Sequence, residues 1–182
     1  MNKLFIISTN SKSINLFLSE HIKIIIERYE CIIITKIVED INLIHKNIIV
    51  KNLNISRKIN LLNDIKSFFY IFYLTLKFRP KLILSITPKA GILSSFVSTV
   101  SLSFNHIHFF TGQYWANYKN LKKILFKTLD EFILIFSKKC LVDGRGQLDY
   151  LKQNFLFCKN KLLILGDGSI KGIDLKRFRP NN

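Results

Sequence analysis

The chain has 182 residues, 48% of them hydrophobic, enough for one folded domain with a substantial core, and this excludes a disordered polypeptide. Its 28 Lys and Arg against 12 Asp and Glu give a formal net charge of +16. That excess points to an anionic partner, whether nucleic acid, acidic phospholipid or a phosphorylated substrate, although a chain so rich in Ile, Asn and Lys also matches the product of an AT-rich genome.

The N-terminus, MNKLFIISTN, has too short an apolar stretch for a signal peptide. KLFIIS (3–8) reads as a strand that stops in the polar STNSKS. From Ile14 the apolar residues Phe17, Leu18, Ile22, Ile25 and Tyr29 recur at helical spacing, with Ser13 placed to cap that helix. CIIIT (31–35) and NIIVKNLN (47–54) read as the next strands, and residues 61–78 as a long helix stopped at Arg79-Pro80. LILSI (82–86) is a strand, TPKAG opens a helix over about 90–103, and HIHFF (106–110) is a strand. The stretch GILSSFVSTVSLSF (91–104) is shorter than the roughly 20 apolar residues of a membrane span and rich in Ser. Leu121, Ile124, Leu125, Leu129, Phe132, Ile133 and Phe136 give residues 121–137 an apolar helical face. KCLVD (139–143), QLDYLKQNF (147–155) and KLLIL (161–165) complete the series as strand, helix and strand.

Cys31, Cys140 and Cys158 are far apart, with no CxxC and no histidines at metal spacing, so a disulfide framework and a zinc site are both excluded. Cys31 and Cys140 sit in apolar runs as small core residues, consistent with a reducing cytoplasm.

Alternating strands and helices, with strands that are unbroken apolar runs, predict an α/β fold. It is a Rossmann-like, doubly wound parallel sheet with helices on both faces. In such a sheet ligands bind beyond the carboxyl ends of the strands. Those ends carry STNSKS, TPKAG, TGQYW, GRGQ and GDGS, so Gly, Ser, Thr, Gln and Lys gather on one rim.

Each feature there has two readings. The glycines suit either turns with positive φ or close approach to a ligand. Pro88 and Lys89 fit a helix start or an anion site. Tyr114 and Trp115 fit core packing or stacking on a sugar ring, with Gln113 and Asn117 bonding its hydroxyls. His106 and His108 share one strand face, as core histidines do. Adjacent Asp130 and Glu131 are expected to be solvated. No Ser/His/Asp elbow is present. GRG and GDG are too short for a dinucleotide fingerprint, and the first loop has no glycine.

TPKAG (87–91), HFFTGQYWAN (108–117), Leu129-Asp130, LVDGRGQLDYL (141–151) and LGDGSIKGIDLKRFRP (165–180) resemble, in order and spacing, the N-terminal half of bacterial family 4 glycosyltransferases. The similarity is to the subgroup that builds lipopolysaccharide O-antigen and other surface polysaccharides. It implies a GT-B fold, with two Rossmann-like domains facing each other across a cleft. Residues 1–182 would be the acceptor-side domain, and the chain ends where the family's nucleotide-sugar domain begins. Retaining transfer without metal or cofactor is implied, with a nucleotide sugar as substrate held mainly by that absent domain.

The resemblance implies an acceptor cleft of Lys89, Gly91, His108, Thr111, Gly112, Gln113, Trp115, Asn117 and Arg145. Gly166, Asp167, Gly168 and Ser169 would face the donor side. The family often has a histidine beside its glycine where this chain has Thr111, with His108 three residues earlier, so no catalytic residue is assigned. The implied partners are a nucleotide-sugar donor, a lipid-linked oligosaccharide acceptor and the cytoplasmic surface of the inner membrane. Lys119, Lys122, Lys123 and Lys127 would meet that surface. Such a chain would be inactive alone; the alternative is a non-catalytic subunit of a split transferase, completed by a separate C-terminal-domain chain. Nucleic acid is not expected, because lysines and aromatics are not interleaved as in any recognised module.

Overall fold

Runs of β-branched residues such as Ile32–Ile34 favour extended backbone, and flanking polar turns delimit them. The computed structural model describes residues 1–42, 45–56, 60–102 and 105–172. The elements are β1 (Asn2–Ser8), α1 (Ser11–Phe17), α2 (Ser19–Ile25), β2 (Tyr29–Thr35), β3 (Ile48–Asn52), α3 (Leu61–Phe78), β4 (Leu82–Ile86), α4 (Pro88–Val100) and β5 (His106–Phe110). A 3-10 turn (Tyr114–Asn117), α5 (Asn120–Phe136), β6 (Lys139–Val142), α6 (Arg145–Asn154), a second 3-10 turn (Lys159–Lys161) and β7 (Leu162–Ile164) follow.

The strands form one seven-stranded sheet in the order β3-β2-β1-β4-β5-β6-β7, and every pairing is parallel. Side chains alternate across it. Leu4, Ile6, Cys31 and Ile33 meet Ile14, Leu18 and Ile22 of α1 and α2 on one face. Phe5, Ile7, Ile32 and Ile34 meet Ile71 and Leu74 of α3 and Leu93 and Val97 of α4 on the other. Under α5 and α6, Phe110, Cys140 and Val142 pack with Ile133, Leu134, Leu151 and Phe155. The predicted α/β sheet with helices on both faces is thus observed.

Local details differ from the sequence reading. The first helix starts three residues earlier than a Ser13 cap allows: Asn10 is its cap, accepting the Ser13 N–H at 3.0 Å. It then breaks at Leu18 into α1 and α2. Asp130 and Glu131, expected in solvent, are 4% and 9% exposed. Conversely Leu121, Ile124 and Leu125, part of the apolar face of the same helix, are 80%, 61% and 52% exposed. The helix is rotated so that Asp130, Ile133 and Leu134 turn inward.

Buried polar groups hold β5 in place. Ser85 Oγ lies 2.7 Å from both His106 Nε2 and His108 Nδ1. A hydroxyl has one proton, so one of those ring nitrogens donates to Oγ while Oγ donates to the other. Ser137 Oγ adds a contact at 3.1 Å to His106 Nδ1. Burial holds both rings neutral: His106 is pushed down to about 3, and His108 falls well below the ordinary imidazole value, through burial first and then the neighbouring His106.

Above His108 sits Gly91. It is neither a turn residue nor open to a ligand, as its place in TPKAG suggested, but buried inside α4. A Cβ built there would lie 2.7 Å from His108 Cε1 and 2.8 Å from Ile133 Cδ1. The Gly91→Ala variant is therefore expected to lose about 1–3 kcal/mol through overpacking. Chemical denaturation checks this; an unchanged midpoint would mean that α4 stands off the sheet.

Candidate functional site on the strand-end rim

Because all the strands run parallel, their carboxyl ends share one edge. The strand order reverses between β1 and β4, where a crevice is expected in such sheets. Here that point is closed: the Thr9 N–H donates to Thr87 Oγ1 at 3.2 Å. The STNSKS segment, apart from exposed Lys12, is also buried and bonded to itself, with Ser8, Thr9, Asn10 and Ser11 all at or below 8% exposure. Thr87 holds φ of 85°, unusual for a β-branched residue, at the start of α4.

The open space lies between the ends of β5 and β6. A cavity of about 340 Å³ is lined by Thr111, Gly112, Gln113, Asp143, Gly144, Gly146 and Gln147. Gln147 organises it. Its Oε1 accepts the Asp143 N–H at 2.6 Å, and its Nε2 donates to Phe110 O and Gln113 Oε1, each at 3.2 Å. Gln113 Nε2 is buried and has no hydrogen-bond partner among the described residues. Gly112, at φ 133°, lets the chain turn there.

The cavity also sits at the N-terminus of α6, whose first N–H groups lack intrahelical acceptors. The Asp143 carboxylate beside them opposes an anion. The cavity therefore offers donors and acceptors together, as polyhydroxylated ligands need, rather than a simple anion trap.

Asp143 also fixes the GDGS loop. Its carbonyl accepts the Ser169 N–H at 2.5 Å and its Oδ1 accepts the Ile170 N–H at 2.8 Å. Gly168 (φ 107°) would place a Cβ 2.8 Å from that carbonyl, so glycine is required. Gly166, Asp167, Gly168 and Ser169 thus lie on the same rim, exposed or half-buried.

Of the residues expected in an acceptor cleft, Thr111, Gly112 and Gln113 line the cavity. Arg145 and Asn117 are exposed on flanking segments, at the start of α6 and in the 3-10 turn. Lys89 is pinned to α3 by Asp64, 2.9 Å away. His108 and Gly91 are buried in the core.

Trp115, expected to line the cleft, is instead wholly buried beneath the loop, stacked on Tyr150 at 5.3 Å. Its Nε1–H donates to Asp130 Oδ2 at 2.9 Å, which ties the 111–117 segment to α5. Glu131 likewise accepts the backbone N–H groups of Leu156 and Phe157. Asp143 and Gln147 were missed by the sequence reading, although both stand in the LVDGRGQLDYL block beside its glycines. No group of three or more His, Cys, Asp or Glu residues among the described residues is arranged to hold a metal ion.

No family model matches the chain. Over 138 residues it is 23% identical to the capsular polysaccharide biosynthesis glycosyltransferase CapM of Staphylococcus aureus, covering 76% of this chain and 36% of CapM. The fold matches UDP-N-acetylglucosamine 2-epimerase from Rickettsia bellii (TM-score 0.71, 13% identity, 98% of this chain and 47% of that one). It equally matches Anabaena HepE in complex with UDP and glucose (TM-score 0.71, 11% identity, 97% and 46%). The chain thus has the Rossmann-like fold found in GT-B glycosyltransferases and nucleotide-sugar epimerases, and it spans about half or less of each of these relatives.

Burial pushes the Asp130 carboxyl up to about 7, and the hydrogen bond from Trp115 pulls it partly back. Between the ordinary value of 3.8 and about 7, the unfolded chain releases this proton while the folded chain keeps it. Its stabilising contribution is full below the lower value and is lost as pH rises through the upper. Asp130→Asn keeps an acceptor for Trp115 and cannot ionise. The melting temperature of this variant relative to the parent is expected to rise from pH 5 to pH 8. The two histidines titrate identically in both proteins and cancel in the difference. A pH-independent difference would show that the carboxyl is not buried as described.

Proposed function

We propose that this chain is the acceptor-side domain of a retaining, metal-independent family 4 glycosyltransferase that extends a lipid-linked oligosaccharide during surface-polysaccharide synthesis, of the O-antigen or a related kind. The reading rests on one observation above all: the cavity between β5 and β6, where Gln113 and Gln147 bring amide donors and acceptors to a rim shaped by glycines. Such a lining suits sugar hydroxyls. The CapM likeness supports a role in polysaccharide synthesis, and the fold neighbours support a nucleotide sugar as donor. In this proposal the donor is held chiefly by a second domain, supplied by a continuation of the polypeptide or by a separate chain. The GDGS loop faces that domain, and the work takes place at the cytoplasmic face of the inner membrane.

A second reading, nucleotide-sugar epimerisation, is favoured by the epimerases among the fold neighbours, such as that of Rickettsia bellii. The two readings part in solution. A water-soluble, short-prenyl diphosphate-linked sugar, titrated into the 15N-labelled chain, is expected to shift the amide signals of residues 111–113 and 143–147 and to leave those of α1 and α2 unmoved. Shifts absent from the rim would overturn the acceptor assignment. Turnover of a nucleotide sugar by the 182-residue chain alone would overturn the division of labour, and epimerised UDP-N-acetylglucosamine as product would establish the second reading.

A further inference from the structure

The outer side of the α3–α4–α5 layer is unusual for a water-facing surface. Along α3, Leu62, Ile65, Phe69, Tyr73 and Leu76 are 76%, 54%, 61%, 54% and 53% exposed, at spacings of three and four that place them on one stripe. Phe96 and Val100 of α4, 47% and 57% exposed, lie beyond it. Leu121, Ile124 and Leu125 of α5 continue the exposed apolar surface on the far side. Exposed apolar side chains repeated on three helices that pack side by side mark a contact surface.

The charge on the same layer is one-sided. Its three carboxylates all point inward: Asp64 is paired with Lys89, Asp130 with Trp115, and Glu131 with the backbone of Leu156 and Phe157. Lys66, Lys77, Lys122, Lys123 and Lys127 stand on these helices with no carboxylate partner among the described residues. On the opposite side of the sheet α2 is balanced, with Lys23 paired to Glu20 at 2.8 Å. The stripe of α3 ends in a recess of about 610 Å³, lined in part by Leu76, Arg79, Lys81, Ser101 and Leu102. No helix among the described residues is long and apolar enough to cross a membrane.

We infer that this face lies on an anionic phospholipid bilayer, with the α3 stripe in the headgroup–acyl boundary and a lipid phosphate held in the Arg79/Lys81 recess. Apolar side chains interleaved with lysines match both layers of such an interface, and each lysine stem reaches along the apolar surface to place its amine at the headgroups. Lys77 Nζ already lies 5.8 Å from the centre of the Tyr73 ring. A second copy docked by the same face would set lysines against lysines, whereas an anionic leaflet supplies the opposite charge. This assignment deepens the lipid-linked-acceptor reading by naming the surface, but its test needs neither donor nor acceptor.

The 182-residue chain is sedimented with sucrose-loaded vesicles of phosphatidylcholine alone or mixed with phosphatidylglycerol, free of glycolipid. Binding is expected at least tenfold tighter to the anionic vesicles and weaker at high salt. Phe69→Ser combined with Tyr73→Ser, and separately Lys66→Glu combined with Lys77→Glu, should each weaken it tenfold or more. These sites are exposed, and unchanged emission from buried Trp115 confirms the fold. Absent binding, equal binding to both vesicle types, or indifference to either variant overturns the assignment. So does a vesicle-free dimer that the Phe69/Tyr73 variant dissolves, because the occupant is then a second copy. Loss of vesicle binding with rim shifts by the soluble acceptor intact would sink this inference and leave the acceptor assignment standing.

Discussion

The ring of His108 and the missing side chain of Gly91 form one fitted contact, and much of the molecule depends on it. β5 lies between β4 and β6 and carries the segment 111–117 at its end. α4 can approach that strand closely only because Gly91 has no Cβ, and Ile133 of α5 reaches the same spot, 2.8 Å from where that Cβ would lie. Two helices and a strand are thereby registered at one point. Ser85 ties the neighbouring strand to the same ring. A neutral imidazole is acceptable there because the Ser85 hydroxyl satisfies its Nδ1, and burial reinforces neutrality.

Outward from that point the architecture passes to the rim through side-chain hydrogen bonds. Asp130 reaches under the 111–117 segment to Trp115, and Gln147 reaches across from α6 to Phe110 and Gln113. Asp143 then fixes the last loop through Ser169 and Ile170. Each rim loop is tied to the scaffold by a side chain, Asp130 from wholly within the core, Gln147 half-buried and Asp143 from the surface. The cavity wall is consequently set by the scaffold and not by free loop ends, the condition a site needs to present amides in fixed directions.

Much of this was legible in the sequence. Unbroken apolar runs such as CIIIT gave buried parallel strands, and polar, glycine-bearing segments after each run marked the rim. Arg79-Pro80 ended α3 as expected, with Arg79 in the left-handed conformation. What could not be read was which face of a helix turns inward when both faces carry apolar residues. On α5 the leucine-rich face and the Asp130/Ile133/Leu134 face compete, and the choice is made by a distant partner, the Trp115 indole, which no local spacing reveals. The same partner explains why Trp115 looked like a cleft aromatic: its neighbours Gln113 and Asn117 are surface residues, yet its own N–H has a buried carboxylate to find. Gln147 escaped notice for a related reason, since its role comes from reaching two other loops.

The rim and the apolar-basic face are not separate features, because the 111–120 segment joins them. Gln113 lines the cavity, and the next residue, Tyr114, packs edge-on against Phe126 of α5, with ring centres 5.3 Å apart. Tyr118 closes the cluster with its hydroxyl on Tyr114 and its ring stacked near Phe126. From there the surface continues onto exposed Leu121, Ile124 and Leu125. A bilayer against the helical layer would therefore stand beside the cavity mouth at the start of α5, separated from Gln113 by a single aromatic cluster. An acceptor anchored in that bilayer by a prenyl tail would have its diphosphate near the lysines of α5 and its sugars at the amides of the rim. On the proposed reading, the opposing demands of a lipid-linked substrate, apolar at one end and hydroxyl-rich at the other, would map onto two adjoining surfaces of one domain.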